Sequence, residues 1–153
     1  MINYLREAAR LSWCSTDPRT KIGAVIYDAE KSIANGFNDL SAGYEGVYTG
    51  KDKYKLTLHA EQAAIFDYFR YYKKDDRRIG MAATAACCTE CAKAIVAAGI
   101  SEVLTCKRAL EAMPAWEEEF EIGHQILAAG GVKLILVPEI GEEVFMSGEL
   151  ITI

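Results

Sequence analysis

Apolar residues recur at helical spacing in the first part of the chain. Leu5, Ala8 and Leu11 are separated by polar side chains, so residues 2–14 are predicted to form an amphipathic helix. Pro18 follows shortly afterwards, and proline cannot continue a helix. We therefore expect a helix that packs one face on a core and ends before a turn.

Two apolar runs then flank a short polar turn. Residues 22–27 and 32–37 are predicted strands, and residues 28–31 are predicted to join them as a hairpin. Residues 38–57 are rich in Gly, Ser, Asp and Lys and predict a long loop. Loops of this length inside a compact domain usually carry function or are disordered.

The second half of the chain alternates helical patterns with strand patterns. Gly99 and the pair Gly130-Gly131 are predicted to end two of the helices. The charged run 73–78 predicts a solvated connection, and the tail 139–153 is compatible with a further hairpin. The helices are predicted at residues 59–72, 88–98 and 116–129, and the strands at residues 81–85, 100–104 and 132–137.

This order of elements predicts one α/β domain over residues 1–153. We expect a three-layer α/β/α sandwich whose mixed five-stranded sheet begins with a hairpin and carries helices on both faces. The chain has 153 residues, of which 51% are hydrophobic, enough to fill one sizeable core.

The net charge and the hydropathy of the chain disfavour two classes of partner, nucleic acids and membranes. The net charge is -5, which disfavours a nucleic-acid partner or an anionic membrane surface. The sequence has no apolar run of membrane-spanning length, and its first residues do not resemble a signal peptide. These features predict a soluble cytoplasmic protein with no membrane association.

The cysteines suggest metal binding rather than disulfides. The number of cysteines is odd, five, and Cys87, Cys88 and Cys91 fall close together. Cys14 and Cys106 stand alone in apolar surroundings and are predicted to be small buried hydrophobic residues.

Two short motifs carry the candidate chemistry. His59 and Glu61 lie at the start of one predicted helix, and Cys88 and Cys91 lie at the start of another. Zinc is commonly held by His nitrogen and Cys sulfur, and a catalytic zinc site keeps three protein ligands and one open position. We predict His59, Cys88 and Cys91 as zinc ligands, with Glu61 beside the metal as a proton carrier.

A purely structural zinc site is the alternative reading of the same motifs. Such a site normally has four protein ligands, and Cys87 or His124 would have to supply the fourth. The side chains of Cys87 and Cys88 should diverge because the residues are adjacent, and His124 lies in a separate predicted helix. The order of the two motifs at helix starts favours the catalytic site.

The motifs together resemble those of the zinc-dependent nucleobase deaminases, which carry His-x-Glu followed by Cys-x-x-Cys. The wider sequence is most similar to the deoxycytidylate (dCMP) deaminases, from about residue 2 to residue 137. The similarity lies in residues 15–26, Lys53-Tyr54, residues 91–95, Gly99-Ile100 and residues 129–132.

The resemblance implies a function and a set of roles. The activity would be the hydrolytic deamination of a cytosine nucleotide, dCMP to dUMP, with Glu61 moving protons from water to the ring and to the departing ammonia. The backbone amide of Ala60 would bind the pyrimidine carbonyl, and Asn38 would contact the sugar-phosphate side. Tyr54, in one of the similar segments, and Lys21, in a loop expected to rim the site, are further candidate substrate contacts.

The resemblance also implies partners. Relatives are activated by dCTP and inhibited by dTTP, so a nucleoside triphosphate effector with magnesium is expected, as is a homo-oligomer, either a dimer or a hexamer. Aromatic residues in the segment 68–72 suit a subunit contact or the core. Other basic residues expected near the site, any of which could meet a phosphate, are Arg19, Lys51, Lys53 and Lys55.

Several positions depart from the pattern of that branch. Cys87 replaces a proline before the first zinc cysteine, Asp39 a glycine, Ser41 a proline and Ala63 an asparagine, and Ala86 is small beside the expected base pocket. These changes leave open a modified cytosine nucleotide or another aminated base. A polynucleotide or tRNA deaminase and a non-catalytic, zinc-stabilised oligomeric module are further alternatives.

Overall fold

A five-stranded sheet forms the centre of the computed structural model, which describes residues 1–40, 53–72 and 78–153. The first half of the chain supplies four strands and three helices. They are α1 Ile2–Ser12, β1 Gly23–Tyr27, β2 Ser32–Phe37, β3 Asp39–Leu40, α2 Lys53–Leu56, β4 Thr57–Leu58 and α3 Ala60–Tyr71.

The second half of the described chain supplies the remaining elements. They are β5 Gly80–Ala83, α4 Thr89–Ala98, β6 Glu102–Cys106, α5 Lys107–Glu111, a 3-10 turn at Pro114–Trp116, α6 Glu117–Ala129, β7 Lys133–Val137, β8 Glu143–Met146 and β9 Glu149–Thr152.

The strands of the main sheet lie in the order β2-β1-β5-β6-β7. β1 is antiparallel to both β2 and β5, whereas β5, β6 and β7 are parallel to one another. Parallel neighbours need crossover connections, which α4 and α6 help to provide. The predicted mixed sheet and its helices are confirmed.

Two glycines in the first hairpin bring helices against both faces of the sheet. Gly36 pairs with Ala24, the neighbour of Gly23, so Gly23 and Gly36 lie on opposite faces. A Cβ atom at Gly23 would lie 2.1 Å from the carbonyl oxygen of Ala8 in α1, and one at Gly36 would lie 2.4 Å from the backbone nitrogen of Ala64 in α3. Helix α1 therefore packs on one face and α3 on the other.

Most of the predicted elements are present, with shifted ends. β6 begins at Glu102 rather than at Ile100, because Gly99 closes α4 with φ 77° and the backbone N–H of Ile100 donates to the carbonyl of Ile95. Met81–Ala85 was predicted as a strand, but β5 ends at Ala83. The tail does form a hairpin, β8–β9.

Other expectations need correction. The region 38–57 was predicted as a loop, but its described part contains β3, β4 and the single-turn helix α2. Helix α5 and the turn at Pro114–Trp116 have no counterpart in the sequence interpretation. Cys14 was predicted to be buried and is exposed, whereas Cys106 is buried as expected. Of the predicted connection 73–78, only Arg78 falls within the described residues, and it is exposed.

Replacing Gly36 by alanine should destabilise the fold at the start of α3. The added methyl would meet the backbone of Ala60 and Ala64, which cannot move without shifting the helix. We expect a loss of about 1–3 kcal/mol in the free energy of unfolding, measured by urea titration. Asn35→Ala, at the exposed neighbouring position of β2, is the matched control and should change stability little. Equal stability of the two variants would contradict the close packing.

Candidate metal centre and active site

Two helix starts meet beside the end of β5. His59 immediately precedes α3, and Cys88 immediately precedes α4, with Cys91 in the first turn of that helix. The Nδ1 atom of His59 lies 3.4 Å from the Sγ atom of Cys88 and 3.4 Å from that of Cys91. The structure therefore brings the three predicted ligands into one cluster.

The dimensions of this cluster suit zinc. Ligand atoms of the three residues all lie within 4.8 Å of one another. With typical Zn–S and Zn–N bond lengths, sulfur and nitrogen atoms on one tetrahedral ion are about 3.6 Å apart, close to the observed separations. Two cysteine sulfurs and one imidazole are also a donor set that zinc favours.

In the part of the chain that the structure describes, the cluster contains three candidate ligands, not four. Among the described residues, no other group of three His, Cys, Asp or Glu side chains could hold a metal ion. Cys87 and His124, the candidates for a fourth ligand, do not belong to the cluster, and His124 lines a separate groove. Three ligands leave a coordination position open, as in catalytic zinc sites. The expected magnesium ion of a triphosphate effector is supported neither by the described residues nor by the family match.

Without metal, the charges in the cluster favour a thiolate on Cys88. A hydrogen bond from Cys91, together with the bond to His59, lowers the pKa of the Cys88 thiol to about 4. The same hydrogen bond raises the pKa of Cys91, and the bond to Cys88 raises the pKa of His59. Metal ligation by both sulfurs and the imidazole would displace the protons that Cys91 and His59 hold.

Glu61 is buried beside the cluster. Its side chain is only 4% exposed, yet it lines the open cleft. Burial raises the pKa of the Glu61 carboxyl, while the charge on His59 opposes this rise. A carboxyl group with a raised pKa beside a metal site can accept and return a proton near neutral pH.

The cleft above the cluster is lined by both polar and apolar residues. Its empty volume, including the mouth that is open to solvent, is about 620 Å3. Besides the cluster and Glu61, its polar lining residues are Asp17, Thr20, Asn38, Lys53 and Thr57. Its apolar and aromatic lining residues are Ile22, Tyr54, Ala60, Ala85, Ala86, Met113, Trp116 and Phe120.

Asn38 anchors one side of the cleft. Its Oδ1 atom accepts the backbone N–H of Ile22 at 2.7 Å, and its Nδ2 atom donates to the carbonyl of Thr20 at 2.8 Å. The hydroxyl of Ser15 donates to the backbone carbonyl of Asn38 at 2.5 Å. These bonds hold the amide at the cleft and use one of its two N–H donors.

The other predicted substrate contacts divide into two groups. Ala60 and Tyr54 line the cleft, and the Tyr54 ring meets the Trp116 ring edge-on with centroids 5.3 Å apart. Lys21 does not line the cleft, and its ammonium donates to the carbonyl of Ser15 instead. Arg19 and Lys55 are exposed and also absent from the lining, while Lys51 and Ser41 lie outside the described residues.

A buried ion pair lies under the cleft. Lys53 is 8% exposed and Asp17 is 1% exposed. The Lys53 ammonium lies 2.7 Å and 2.9 Å from the two carboxylate oxygens of Asp17, which also accepts the backbone N–H groups of Arg19 and Thr20. The sequence interpretation missed the role of Asp17, because only the fold brings it next to Lys53.

The structure describes the surroundings of three positions that depart from the pattern of the dCMP deaminases. Ala86 lines the cleft, as predicted from its small size. The carboxylate of Asp39 accepts the hydroxyl of Thr16 and the backbone N–H of Leu40, so it ties the segment after β2 to the turn after α1. Cys87 is 1% exposed and faces the Glu61 charge, and burial raises the pKa of its thiol.

Comparison with known proteins decides the family. A family model described as the cytidine and deoxycytidylate deaminase zinc-binding region matches residues 1–107, well over half of the chain, including all three ligands and Glu61. The chain belongs to the cytidine and deoxycytidylate deaminases. An uncharacterized deaminase from the luxG 3′ region of Aliivibrio fischeri is 32% identical to this deaminase, covering 83% of this chain and 85% of the relative.

Solved structures share the fold of this deaminase. One is a dCMP deaminase from the cyanophage S-TIM5 in complex with dCMP and dUMP, with a TM-score of 0.71 and 24% identity over 88% of this chain and 94% of that chain. Another is RibD from Acinetobacter baumannii, with a TM-score of 0.61 and 20% identity over 88% of this chain and 34% of that chain. At such identities the likeness shows the fold alone.

Cys88→Ala should abolish tight metal binding, because it removes a thiolate from the cluster and leaves two ligands. We expect the zinc content of the purified protein, measured by plasma mass spectrometry, to fall from about one ion per chain to near zero. A chelator should then lower the melting temperature of the wild type but not that of the variant. Cys14→Ser, at an exposed cysteine outside the cluster, should retain zinc. Wild-type zinc content in Cys88→Ala would refute the ligand assignment.

Proposed function

We propose that this protein is a zinc-dependent hydrolase that deaminates a cytosine nucleotide, with dCMP as the preferred substrate and dUMP and ammonia as products. The observation that carries the proposal is the buried Glu61 beside a three-ligand cluster at the base of an open cleft. A structural zinc site would have no use for an open position or for a carboxyl group that is not a ligand.

The residues of the site have different roles in the proposed reaction. Zinc, when bound by His59, Cys88 and Cys91, lowers the pKa of a water molecule and so makes it a nucleophile near neutral pH. Glu61 accepts one proton from this water and delivers it to N3 of the ring. A C4–O bond forms, the C4–N bond breaks, and Glu61 carries the second proton to the amine, which leaves as ammonia.

Substrate orientation would come from the cleft walls. The N–H groups in the first turn of α3 have no partner within the helix, which supports a role for the Ala60 amide in binding the pyrimidine carbonyl. Tyr54 and Trp116 offer apolar surface to the base or the sugar. Asn38 and Lys53 are hydrogen-bond donors among the polar lining residues, and a phosphate-bearing sugar would lie against them.

The choice of dCMP rests on the resemblance and on the solved phage enzyme that binds it. The net charge of -5 gives no support to a polynucleotide substrate.

No described helix is long and apolar enough to cross a membrane. Regulation by dCTP and dTTP, a homo-oligomeric state and a cytoplasmic location remain predictions. In the segment 68–72, which is predicted to form a subunit contact or part of the core, Tyr68 is buried whereas Phe69 and Tyr71 are exposed.

Glu61→Gln should retain zinc and fold but lose most turnover, because it removes the proton carrier without removing a ligand. We expect the rate constant for deamination to fall by about 10²- to 10⁴-fold at unchanged zinc content. Glu90→Gln, at an exposed position between the two cysteine ligands, is the matched control and should keep wild-type activity. Retained activity in Glu61→Gln would rule out the proposed mechanism.

A panel of substrates tests the specificity. Zinc-loaded protein is incubated with dCMP, CMP, deoxycytidine, dCTP, a modified dCMP and guanine, and the products are separated by chromatography. We expect conversion of dCMP to dUMP and no conversion of deoxycytidine, because the nucleoside lacks the phosphate. Conversion of guanine alone would show a different aminated base as the substrate. Absence of any product with zinc bound would favour a non-catalytic module.

A further inference from the structure

The C-terminal hairpin β8–β9 is fixed to the body of the domain next to the cleft. Val144 and Met146 on β8 are fully buried. The indole N–H of Trp13 donates to the carbonyl of Glu143 at 3.1 Å, and the guanidinium of Arg6 donates to the carbonyl of Ile140 at 3.1 Å. Helix α1 therefore holds the base of the hairpin in place.

The hairpin bonds to the backbone on both sides of Thr20, a residue that lines the cleft. The N–H of Lys21 donates to the carbonyl of Phe145 at 2.8 Å, and the N–H of Gly148 donates to the carbonyl of Arg19 at 2.7 Å. These two backbone hydrogen bonds fix the segment that presents Thr20 to the cleft.

Ser147, at the tip, joins this segment to a second lining segment. Its backbone N–H donates to the hydroxyl oxygen of Thr20 at 3.2 Å, and its own hydroxyl donates to the carbonyl of Ala112 at 3.0 Å. Ala112 precedes Met113, which lines the cleft, and Thr20 accepts the amide of Asn38. One residue thus links the Thr20–Asn38 side of the cleft to the Met113 side.

The backbone of the turn points to a role for the Ser147 side chain. Ser147 and Gly148 have φ values of 56° and 89° and form the two central positions of a tight hairpin turn. Ser147 is the only non-glycine residue with positive φ among the residues that the structure describes. Asn, Asp and Gly adopt this positive φ at a lower energetic cost than serine does. The conformation of the turn therefore does not explain the serine, whereas its hydroxyl makes the hydrogen bond to Ala112.

We propose that Ser147 is a positioning residue for substrate binding, which holds the two lining segments of the cleft at the spacing that the nucleotide requires. This inference rests on the proposed function, because it assumes that the nucleotide occupies the cleft above the metal cluster. Ser147 acts through Thr20 and Ala112 and has no part in proton transfer. Its loss should therefore weaken binding and leave the chemical step unchanged.

Ser147→Gly separates positioning from stability. Glycine relieves the positive φ and removes the hydroxyl, so the melting temperature should stay the same or rise. The KM for dCMP should nevertheless increase about threefold to tenfold, the equivalent of one lost hydrogen bond, at unchanged kcat. Ser147→Asn tolerates the same backbone and offers an amide donor to Ala112, so it should restore part of the binding. Glu149→Gln, exposed on the same hairpin, is the control and should match the wild type.

The outcomes distinguish this inference from the proposed function. If the wild type converts dCMP and Ser147→Gly has the same KM, the inference is wrong and the function stands. A fall in kcat or in zinc content together with a lower melting temperature would also overturn it. If the wild type converts no cytosine nucleotide, the function fails, and amide hydrogen exchange at residues 19–22 and 112–113 tests the link itself. Faster exchange in Ser147→Gly than in Glu149→Gln supports the link, and equal rates refute it.

Discussion

The two helices that carry the metal cluster both begin at a residue whose side chain belongs to the cluster. His59 and Cys88 occupy cap positions, where Ser, Thr, Asp or Asn would accept a backbone N–H, and neither makes a side-chain cap hydrogen bond. Their side chains instead meet at 3.4 Å. The missing caps cost about 1 kcal/mol each, and the helix N-termini offset this by favouring thiolate at the cluster. Folding of this corner and metal binding are therefore coupled.

Two buried carboxyl groups near the cleft have opposite surroundings. Asp17 accepts two backbone N–H groups and the ammonium of Lys53, so it is held as part of a paired charge. Glu61 is buried beside the cluster, and this burial raises the pKa of its carboxyl group. Carboxyl groups held in such different environments take different tasks. The first supports the polar wall of the cleft, and the second is placed to exchange protons.

The sequence was most informative where the chemistry is carried by short local motifs. His59-Ala60-Glu61 and Cys88-x-x-Cys91 predicted the three residues that cluster and the carboxyl group beside them, because both motifs lie at helix starts. It was least informative where distant segments meet. Lys21 is predicted to contact the substrate, but its ammonium donates to the carbonyl of Ser15. Lys53 instead lines the cleft, where it pairs with Asp17, 36 positions away. The pattern of apolar and polar residues does not predict such a pair, because only the fold brings the two residues together.

The cleft is lined by residues from two parts of the chain. The ligands and Glu61 fall within residues 1–107, which match the family model, while Met113, Trp116, Phe120 and the hairpin tip lie beyond it. The cluster and Glu61 thus come from the first stretch alone, whereas the cleft lining comes from both stretches. Exchange of the segment between β6 and α6 for that of a related deaminase would leave the metal ligands in place while the cleft wall changes. Because this part of the cleft lining lies outside the stretch that holds the cluster, it can be redesigned without rebuilding the cluster.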